Sequence, residues 1–214
     1  MFPSVTVEYG TSSPKQTDLS CELNKGDLGS EQSMPAYVAM LRGINVAGHK
    51  TLRMEHLRAL CSDIGFQNVE SYVQSGNIVL RSSIENPTII SKRIGAQIIE
   101  SFGFEVPVIV RTLEGMRNVI SNNPFLKENS IDSSKLHVTF LSEIVQKTSL
   151  EKLAELSTSP DRFYSAPHEI YIYCPVGYGR TKLSNVGIEK AFSVTATTRN
   201  WKTTNKLLEM ASKI

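Results

Sequence analysis

The stretch that decides the fold is AYVAML, residues 36–41, read together with the elements that follow it up to residue 112. AYVAML is apolar on both of its alternating faces, which is typical of a strand in a sheet covered on two sides. A helix is predicted next, because apolar residues recur at helical spacing from Leu57 to Ile64 and Gly65 then ends the run.

The same unit continues with two strands joined by a tight turn, then a second helix and a fourth strand. These segments are VESYV (69–73), the turn QSGN (74–77), IVLRS (78–82), a helix from about Pro87 with Ile90, Ile94, Ile98 and Phe102 on one stripe, and PVIVR (107–111). The resulting order is βαββαβ, which predicts a ferredoxin-like unit with strand order 4-1-3-2 and antiparallel neighbours.

A second copy of this order follows a connecting helix, TLEGMRNVI (112–120). Its segments are HVTFLS (137–142), LEKLAEL (150–156), RFYSA (162–166), EIYIYC (169–174), SNVGIEKAF (184–192) and SVTAT (193–197), and a last helix has Trp201, Thr204, Leu208 and Ala211 on one stripe. The sequence therefore predicts an α+β protein made of two tandem ferredoxin-like (βαββαβ) repeats, residues 34–112 and 113–214, with a C-terminal helix.

Several segments resemble, in order and spacing, a bacterial family known as domain of unknown function 1697. They are YVAMLRGINVAGHK, VQSGNIVL, FGFEVPVIVRT, NNPF, LHVTFLS, EIYIYCPVGYGRTKLSN and TATTRNWKTTNKLLEM. The resemblance spans residues 34–214 and implies tandem ferredoxin-like domains, in agreement with the pattern of elements. It implies no particular activity.

Residues 1–33 differ from the rest in composition. They are rich in Ser, Thr, Gly and acids, carry two lysines against five acidic residues, and show no hydrophobic periodicity. This pattern predicts a disordered tail or an extension. The run Val5-Thr6-Val7 is β-prone and leaves an added edge strand as the alternative.

Composition excludes several classes of protein. With 214 residues, 40% hydrophobic and 21% charged, and without a long apolar run, the chain is predicted to be globular and not to span a membrane. Its three cysteines lie far apart, which argues against a disulfide framework and favours the cytoplasm. The four histidines have no ligand spacing, so we predict no metal and no cofactor, and no catalytic residue is assigned.

The polar motifs are predicted to converge between the repeats. In a ferredoxin-like unit, the exit of the first strand lies beside the hairpin that joins the second and third strands. In the second repeat, the exits of the third and fourth strands are neighbours at the opposite end. If these ends face each other, one cleft collects the predicted ligand-binding residues, which are Arg42, Asn45, Gln74, Ser75, Asn77, Arg180, Lys182, Arg199 and Asn200.

Arginine with Asn, Gln and glycine-rich loops is typical of phosphate or carboxylate recognition. Residues 180–214 also carry seven basic residues against two acidic ones, and we place Arg199 in the first turn of the last helix, where an anion would offset its charge. The sequence therefore predicts binding of a small anionic or phosphorylated ligand in the cleft, while chemistry on that ligand stays open. Ser75 lies in a hairpin turn and not in a nucleophile elbow.

Two alternatives remain open. The first is a nucleic-acid (RNA) binding module, because Tyr171 and Tyr173 share one face of a central strand as aromatic residues do in RNA-recognition modules. The second is a protein-interaction protein without a ligand, in which hydrogen bonds within the protein use every polar motif side chain.

Overall fold

A computed structural model describes residues 34–46, 48–145 and 150–214. Within these ranges the chain is α+β, with two four-stranded antiparallel sheets and six α-helices. The predicted tail, residues 1–33 with its run Val5-Thr6-Val7, lies outside the described residues. None of the helices in the described ranges is long and apolar enough to cross a membrane.

The first sheet is built by residues 36–112. Its elements are β1 (Ala36–Leu41), α1 (Met54–Asp63), β2 (Gln67–Tyr72), β3 (Asn77–Arg81), α2 (Pro87–Phe102) and β4 (Val108–Thr112). The strands lie in the order β2-β3-β1-β4, so β1 is central and β4 is an edge. A connecting helix, α3 (Leu113–Ser121), follows β4 directly.

The second sheet repeats this order. Its elements are β5 (Leu136–Leu141), α4 (Leu150–Leu156), β6 (Arg162–Ser165), β7 (Glu169–Tyr173), α5 (Asn185–Phe192) and β8 (Ala196–Asn200), followed by α6 (Trp201–Ala211). The strand order is β6-β7-β5-β8, so β5 is central and β8 is an edge. Element order and strand order agree with those predicted from the two patterns.

The two sheets also have the same register. Val38 of β1 lies opposite Arg111 of β4, and Val138 of β5 lies opposite Arg199 of β8. Each pair has the same position within its strands, which makes Arg111 and Arg199 equivalent residues. The two sheets therefore match in backbone pairing, and the segments 34–112 and 113–214 are called the first and second repeat below.

Local sequence fixes the ends of α2, the longest helix of the described chain. The side chain of Asn86 accepts a hydrogen bond from the Thr88 N–H, and Pro87 occupies the first turn, where a missing N–H costs nothing. Gly103 ends the helix in the left-handed conformation. Between these ends, Ile90, Ile94 and Ile98 face the first sheet and are buried, as predicted.

The core of the described chain has three parts, and the central part joins the two sheets. It contains Val38 and Met40 of β1 packed with Val138 and Phe140 of β5, and α3 and α6 complete it. The other two parts lie beneath the helices of each repeat. All six residues of β1 are buried, so this sheet is covered on both faces, as the apolar run 36–41 predicts.

Two details of the sequence prediction are wrong. β8 runs from Ala196 to Asn200, three residues later than the predicted strand, and Arg199 therefore lies in a strand and not in the first turn of α6. The polar run TTRN does not look like a strand, but pairing with β5 and contacts across the molecule satisfy its polar groups. The α6 stripe of Trp201, Thr204, Leu208 and Ala211 packs against the central core, and Leu207 beside it is fully buried as well.

We expect Ile94→Ala to lower the free energy of unfolding by about 2–5 kcal/mol, because it leaves a cavity beneath the first sheet. Ile94 is 0% exposed. Ile99 on the same helix is 48% exposed, so Ile99→Ala is the matched control and should change the stability by less than about 0.5 kcal/mol. Urea unfolding followed by circular dichroism measures both, and equal losses would contradict the helix orientation.

Candidate functional site

Arg199 lies at the centre of the contact between the two repeats. Although charged, it is only 8% exposed. Its guanidinium donates five hydrogen bonds, and every acceptor belongs to the protein. The acceptors are the side-chain oxygens of Asn77 and Thr197 and the carbonyl oxygens of Leu41, Ser75 and Thr198.

Three of these acceptors belong to the other repeat. Arg199 reaches the end of β1 through the Leu41 carbonyl, at 2.8 Å, and the β2–β3 hairpin through Ser75 and Asn77. We call this contact the Arg199 junction. It brings together two of the predicted site residues, Arg199 and Asn77. The pKa of Arg199 is lowered to about 10, first by burial and then by the charge of Arg42, so the guanidinium stays protonated at neutral pH.

The hydrogen-bonding capacity of Asn77 is used as well. It is 0% exposed, and its amide nitrogen donates to the Tyr72 carbonyl and the Ser75 hydroxyl while its oxygen accepts from Arg199. Asn45 is bound in the same way within its own repeat. Its amide donates to the carbonyl oxygens of Leu52 and Gln74 and accepts from the Leu52 N–H.

Arg42 makes the second contact between the repeats. It donates two hydrogen bonds to the carboxylate of Glu189 in α5, at 3.1 and 3.0 Å, which is bidentate geometry. Glu189 also accepts from the N–H of Ala196, so it bridges α5, β8 and the loop after β1. Arg42 is therefore neutralised by an acid that the sequence pattern did not single out.

The remaining predicted residues separate into two groups. Asn200 caps α6, because its side chain accepts the Thr203 N–H at 2.7 Å. Arg180 and Lys182 are exposed, and within the described part of the chain neither side chain hydrogen-bonds to the other predicted residues. Gln74 and Ser75 are exposed in the β2–β3 hairpin.

An equivalent junction lies at the other end of the interface. The Arg111 guanidinium donates to the carbonyl of Leu141, at the end of β5, and to that of His168 in the β6–β7 hairpin. Its Nε donates to Glu169 at 3.0 Å, whereas the Nε of Arg199 donates to the neutral Asn77. Each repeat therefore extends an arginine from its last strand onto the first strand and hairpin of the other.

A hydroxyl cluster lies beside the Arg199 junction. The Thr198 hydroxyl contacts those of Thr139 and Tyr178 and donates to the Asn185 side chain. The ring of His137 stacks on Tyr178 with centroids 4.7 Å apart. Burial lowers the pKa of His137 below its ordinary 6.5, so protonation of the imidazole is disfavoured in the folded protein.

The central strand of the second sheet does not present an open aromatic platform. Tyr171 is 3% exposed, and its hydroxyl donates to the Val119 carbonyl in α3. Tyr173 packs beneath Arg162 and against Phe125. The sheet face that carries both tyrosines belongs to the core between the sheets.

An open groove adjoins the β2–β3 hairpin, and we call it the hairpin groove. It has a volume of about 510 Å³. Its lining residues are Arg53, Met54, Glu55 and Arg58 from the start of α1 and Ser71, Val73 and Gln74 from β2 and the hairpin. Of the nine predicted site residues, only Gln74 lines it.

Metal and thiol chemistry find no support among the residues that the structure describes. Within those ranges, no three His, Cys, Asp or Glu side chains lie close enough to hold a metal ion. Burial raises the pKa of Cys61 to about 12. The pKa of Cys174 is raised to about 11, and burial is again the largest cause. Both thiols therefore stay protonated and are poor nucleophiles.

Sequence reasoning missed Glu189, Arg53 and Arg58. The partner of Glu189 lies 147 residues away in the chain, so no local pattern indicates the pair. For Arg53, the sequence did contain a signal of a binding site. Arg53 directly precedes α1, and a cation at the positive end of a helix is unfavourable unless an anion offsets it.

Fold and site together define an α+β protein with two four-stranded sheets. An arginine from each half donates hydrogen bonds to the other half and holds the sheets together. The chain belongs to the family described as protein of unknown function (DUF1697), which matches residues 34–171. Among solved structures it is similar to the conserved bacterial protein SP0830 from Streptococcus pneumoniae, at 23% identity and a TM-score of 0.67, over 84% of this chain and 99% of that chain. A search of curated proteins finds no match.

We expect Arg199→Met to lower the free energy of unfolding by at least about 3 kcal/mol, because Asn77 and the carbonyls of Leu41, Ser75 and Thr198 lose the guanidinium as a donor. The exposed Arg180 provides the matched control, and Arg180→Met should change stability by less than about 0.5 kcal/mol. Urea unfolding measures both variants. A loss of under 1 kcal/mol for Arg199→Met would show that the junction does not hold the repeats together.

His137 makes stability depend on pH. Because its pKa is lowered in the folded state, the unfolded chain binds the proton more readily, and stability falls as pH drops below about 6.5. The variant His137→Gln should lose part of this pH dependence between pH 7.5 and 5.5. His168 is exposed, and His168→Gln should retain it. Urea unfolding at a series of pH values compares the slopes, and identical slopes in all three proteins would contradict the assignment.

Proposed function

We propose that this protein binds a small anionic ligand, such as a phosphorylated or carboxylated metabolite, in the hairpin groove. The observation that carries the proposal is the pair of arginines, Arg53 and Arg58, on one wall of an open groove of about 510 Å³. Against these two positive charges the lining contains one acid, Glu55, so the groove has a positive balance. Guanidinium groups suit phosphate and carboxylate oxygens because they donate in a planar fork.

Arg58 is held in place for this role. It is partly buried on α1, and its Nη1 donates to the Ser71 hydroxyl of β2 at 2.6 Å. This bond uses one N–H of the guanidinium, and Arg58 lines the groove. A held arginine loses less conformational entropy when a ligand binds than a free one does.

The start of α1 adds to the positive potential. Met54 and Glu55 of its first turn line the groove, and the residue that precedes the helix, Arg53, makes no side-chain cap. The first N–H groups of the helix therefore receive no cap from Arg53 and can donate to a ligand. The helix dipole adds a partial positive charge. Arginine side chains and backbone donors converge on the same space.

The opposite wall is the β2–β3 hairpin, and both repeats hold it. Asn45 donates to the Gln74 carbonyl at 2.7 Å, and Arg199 donates to the Ser75 carbonyl at 3.2 Å. We infer that Asn45, Asn77 and Arg199 act on the ligand indirectly, by fixing the hairpin that carries Gln74. These motif residues then have a positioning role. The proposed ligand site is the hairpin groove and not the contact between the repeats.

We also infer that residues 34–112 and 113–214 are two ferredoxin-like repeats, the second including α3 and α6. The identical strand orders and registers of the two sheets support this division.

A cytoplasmic location is part of the proposal, and the two buried free thiols, Cys61 and Cys174, suit a reducing compartment. The proposal includes neither a cofactor nor a catalytic step.

Isothermal titration of the full chain with inorganic phosphate, citrate, sugar phosphates and mononucleotides tests the proposal. For the anion that binds, we expect Arg58→Gln to raise Kd at least about tenfold, because one charge-assisted hydrogen bond contributes about 1.5–3 kcal/mol. Arg53→Gln should weaken binding in the same direction. Arg93→Gln provides the matched control, since Arg93 is exposed on α2 and does not line the groove.

Three outcomes would contradict the proposal. No heat with any anion at millimolar concentration would exclude a metabolite site of useful affinity. Equal weakening by Arg93→Gln would mean that only the general charge of the protein matters. Binding of RNA or DNA oligonucleotides alone, with steep salt dependence, would favour the nucleic-acid alternative.

A further inference from the structure

The free edge of the first sheet lies in a second cleft, which we call the edge cleft. Its volume is about 500 Å³, and all five residues of the edge strand β4, Val108–Thr112, line it. The other lining residues are Pro87, Thr88 and Ser91 from the start of α2 and Ser142, Glu143 and His168 from the second repeat. An open strand edge therefore forms one wall of a cleft between the repeats.

The pairing of β4 with β1 shows which backbone groups face this cleft. The N–H of Arg42 donates to the Pro107 carbonyl, and bonded positions alternate along an antiparallel pair. Ile109 and Arg111 therefore bond to β1. The backbone groups of Val108, Val110 and Thr112 point outward.

Some outward groups of β4 already have partners. The Ser91 hydroxyl donates to the Val108 carbonyl, and the Arg111 side chain donates to the Val110 carbonyl. The Val110 N–H has no acceptor among the described residues. β4 thus keeps a hydrogen-bond donor facing the cleft at its middle residue.

The equivalent edge in the second repeat is also partly covered by the chain itself. By register, Ala196 and Thr198 of β8 correspond to Val108 and Val110 of β4. The Ala196 N–H donates to Glu189, and the side chain of Thr198 is covered by Tyr178 and Asn185. Neither the Thr198 N–H nor the Val110 N–H has an acceptor among the described residues, so what distinguishes β4 is the edge cleft that it lines.

We propose that an extended peptide segment of a partner protein adds to β4 as a further strand. Strand addition uses the unpaired backbone groups of a sheet edge for affinity and neighbouring side chains for specificity. Five residues of strand span about 17 Å, which is a common strand length. The edge cleft supplies this length along one wall and the start of α2 along the other.

Charge in the edge cleft selects a basic peptide. Arg111 is paired with Glu169 at 3.0 Å, which leaves Glu143 as the lining carboxylate that a partner can reach. Glu143 is exposed at the rim of the cleft. A lysine or arginine on the added strand would lie within reach of this carboxylate, so the partner segment is extended and carries a positive charge.

The test uses the full chain and a defined probe, the capped peptide acetyl-Val-Lys-Val-Lys-Val-amide. Nuclear magnetic resonance of isotope-labelled protein should show saturable shifts at the amides of Val108, Val110 and Thr112. Hydrogen exchange of the Val110 N–H should slow at least about tenfold at saturation, because an added strand closes that group. The same peptide with alternate amides N-methylated keeps its charge and side chains, loses its strand donors and should not bind.

Variants distinguish the cleft from the rest of the surface. Thr88→Trp fills the edge cleft and should raise the Kd of the probe at least about tenfold, whereas Ile89→Trp on the same exposed turn, outside the lining, should leave it unchanged. Glu143→Gln should raise the Kd about threefold, as expected for a charge at the rim.

Several results would overturn the proposal. They include equal binding of the N-methylated peptide, shifts confined to other surfaces, or no binding at millimolar peptide. Protection of the Val110 N–H before any peptide is added would mean that the chain itself, or a second copy, already occupies the edge. None of these results bears on the hairpin groove, so the two proposals fail or succeed separately.

Discussion

The reciprocal arginine contact is the interaction on which the arrangement of the two sheets depends. Arg199 and Arg111 occupy equivalent positions in β8 and β4, and each donates to the carbonyl that ends the first strand of the other repeat, Leu41 or Leu141. Burial of a guanidinium is costly unless every N–H finds an acceptor. Backbone carbonyls at a strand end have a fixed position. The arginines therefore determine how the two sheets lie against each other, and so they position the central core.

This constraint also explains why polar motif residues lie at the contact, where they bond to one another and to the backbone. The five donors of Arg199 and the amide of Asn77 are used within the protein. A ligand would have to break these bonds to reach them. The β2–β3 hairpin, however, is held by Arg199 while its outer side chain, Gln74, faces the hairpin groove. The same contact that uses the donors of Arg199 also holds the hairpin that forms one wall of the neighbouring groove.

Elements that depend on periodicity could be predicted from sequence, and contacts between distant elements could not. The isoleucine stripe of α2 and the apolar run of β1 predict a helix and a strand correctly. In each, the pattern of apolar residues itself shows which side chains are buried. The end of β8 was wrong because TTRN is polar, and its burial depends on acceptors in the other repeat. Arg42 was predicted as a site residue, but its partner Glu189 was not, since no local spacing links an arginine after β1 to an acid in α5. Arg53 and Arg58 were missed although their position at the start of α1 is visible in the sequence.

The positions where the repeats differ carry more information about function than those where they agree. Equivalent registers place Ser142 where the first repeat has Arg42, and the space that the Arg42–Glu189 pair fills on one side corresponds to the edge cleft on the other. Side chains of the protein cover part of each edge strand, Glu189 at Ala196 of β8 and Ser91 at Val108 of β4, and such cover limits pairing with other chains. At β4 this cover leaves the Val110 N–H without an acceptor among the described residues, and the strand lines the edge cleft. An edge strand that keeps a donor facing a cleft is a place where a further strand can pair, because strand addition uses the unpaired backbone groups of an edge.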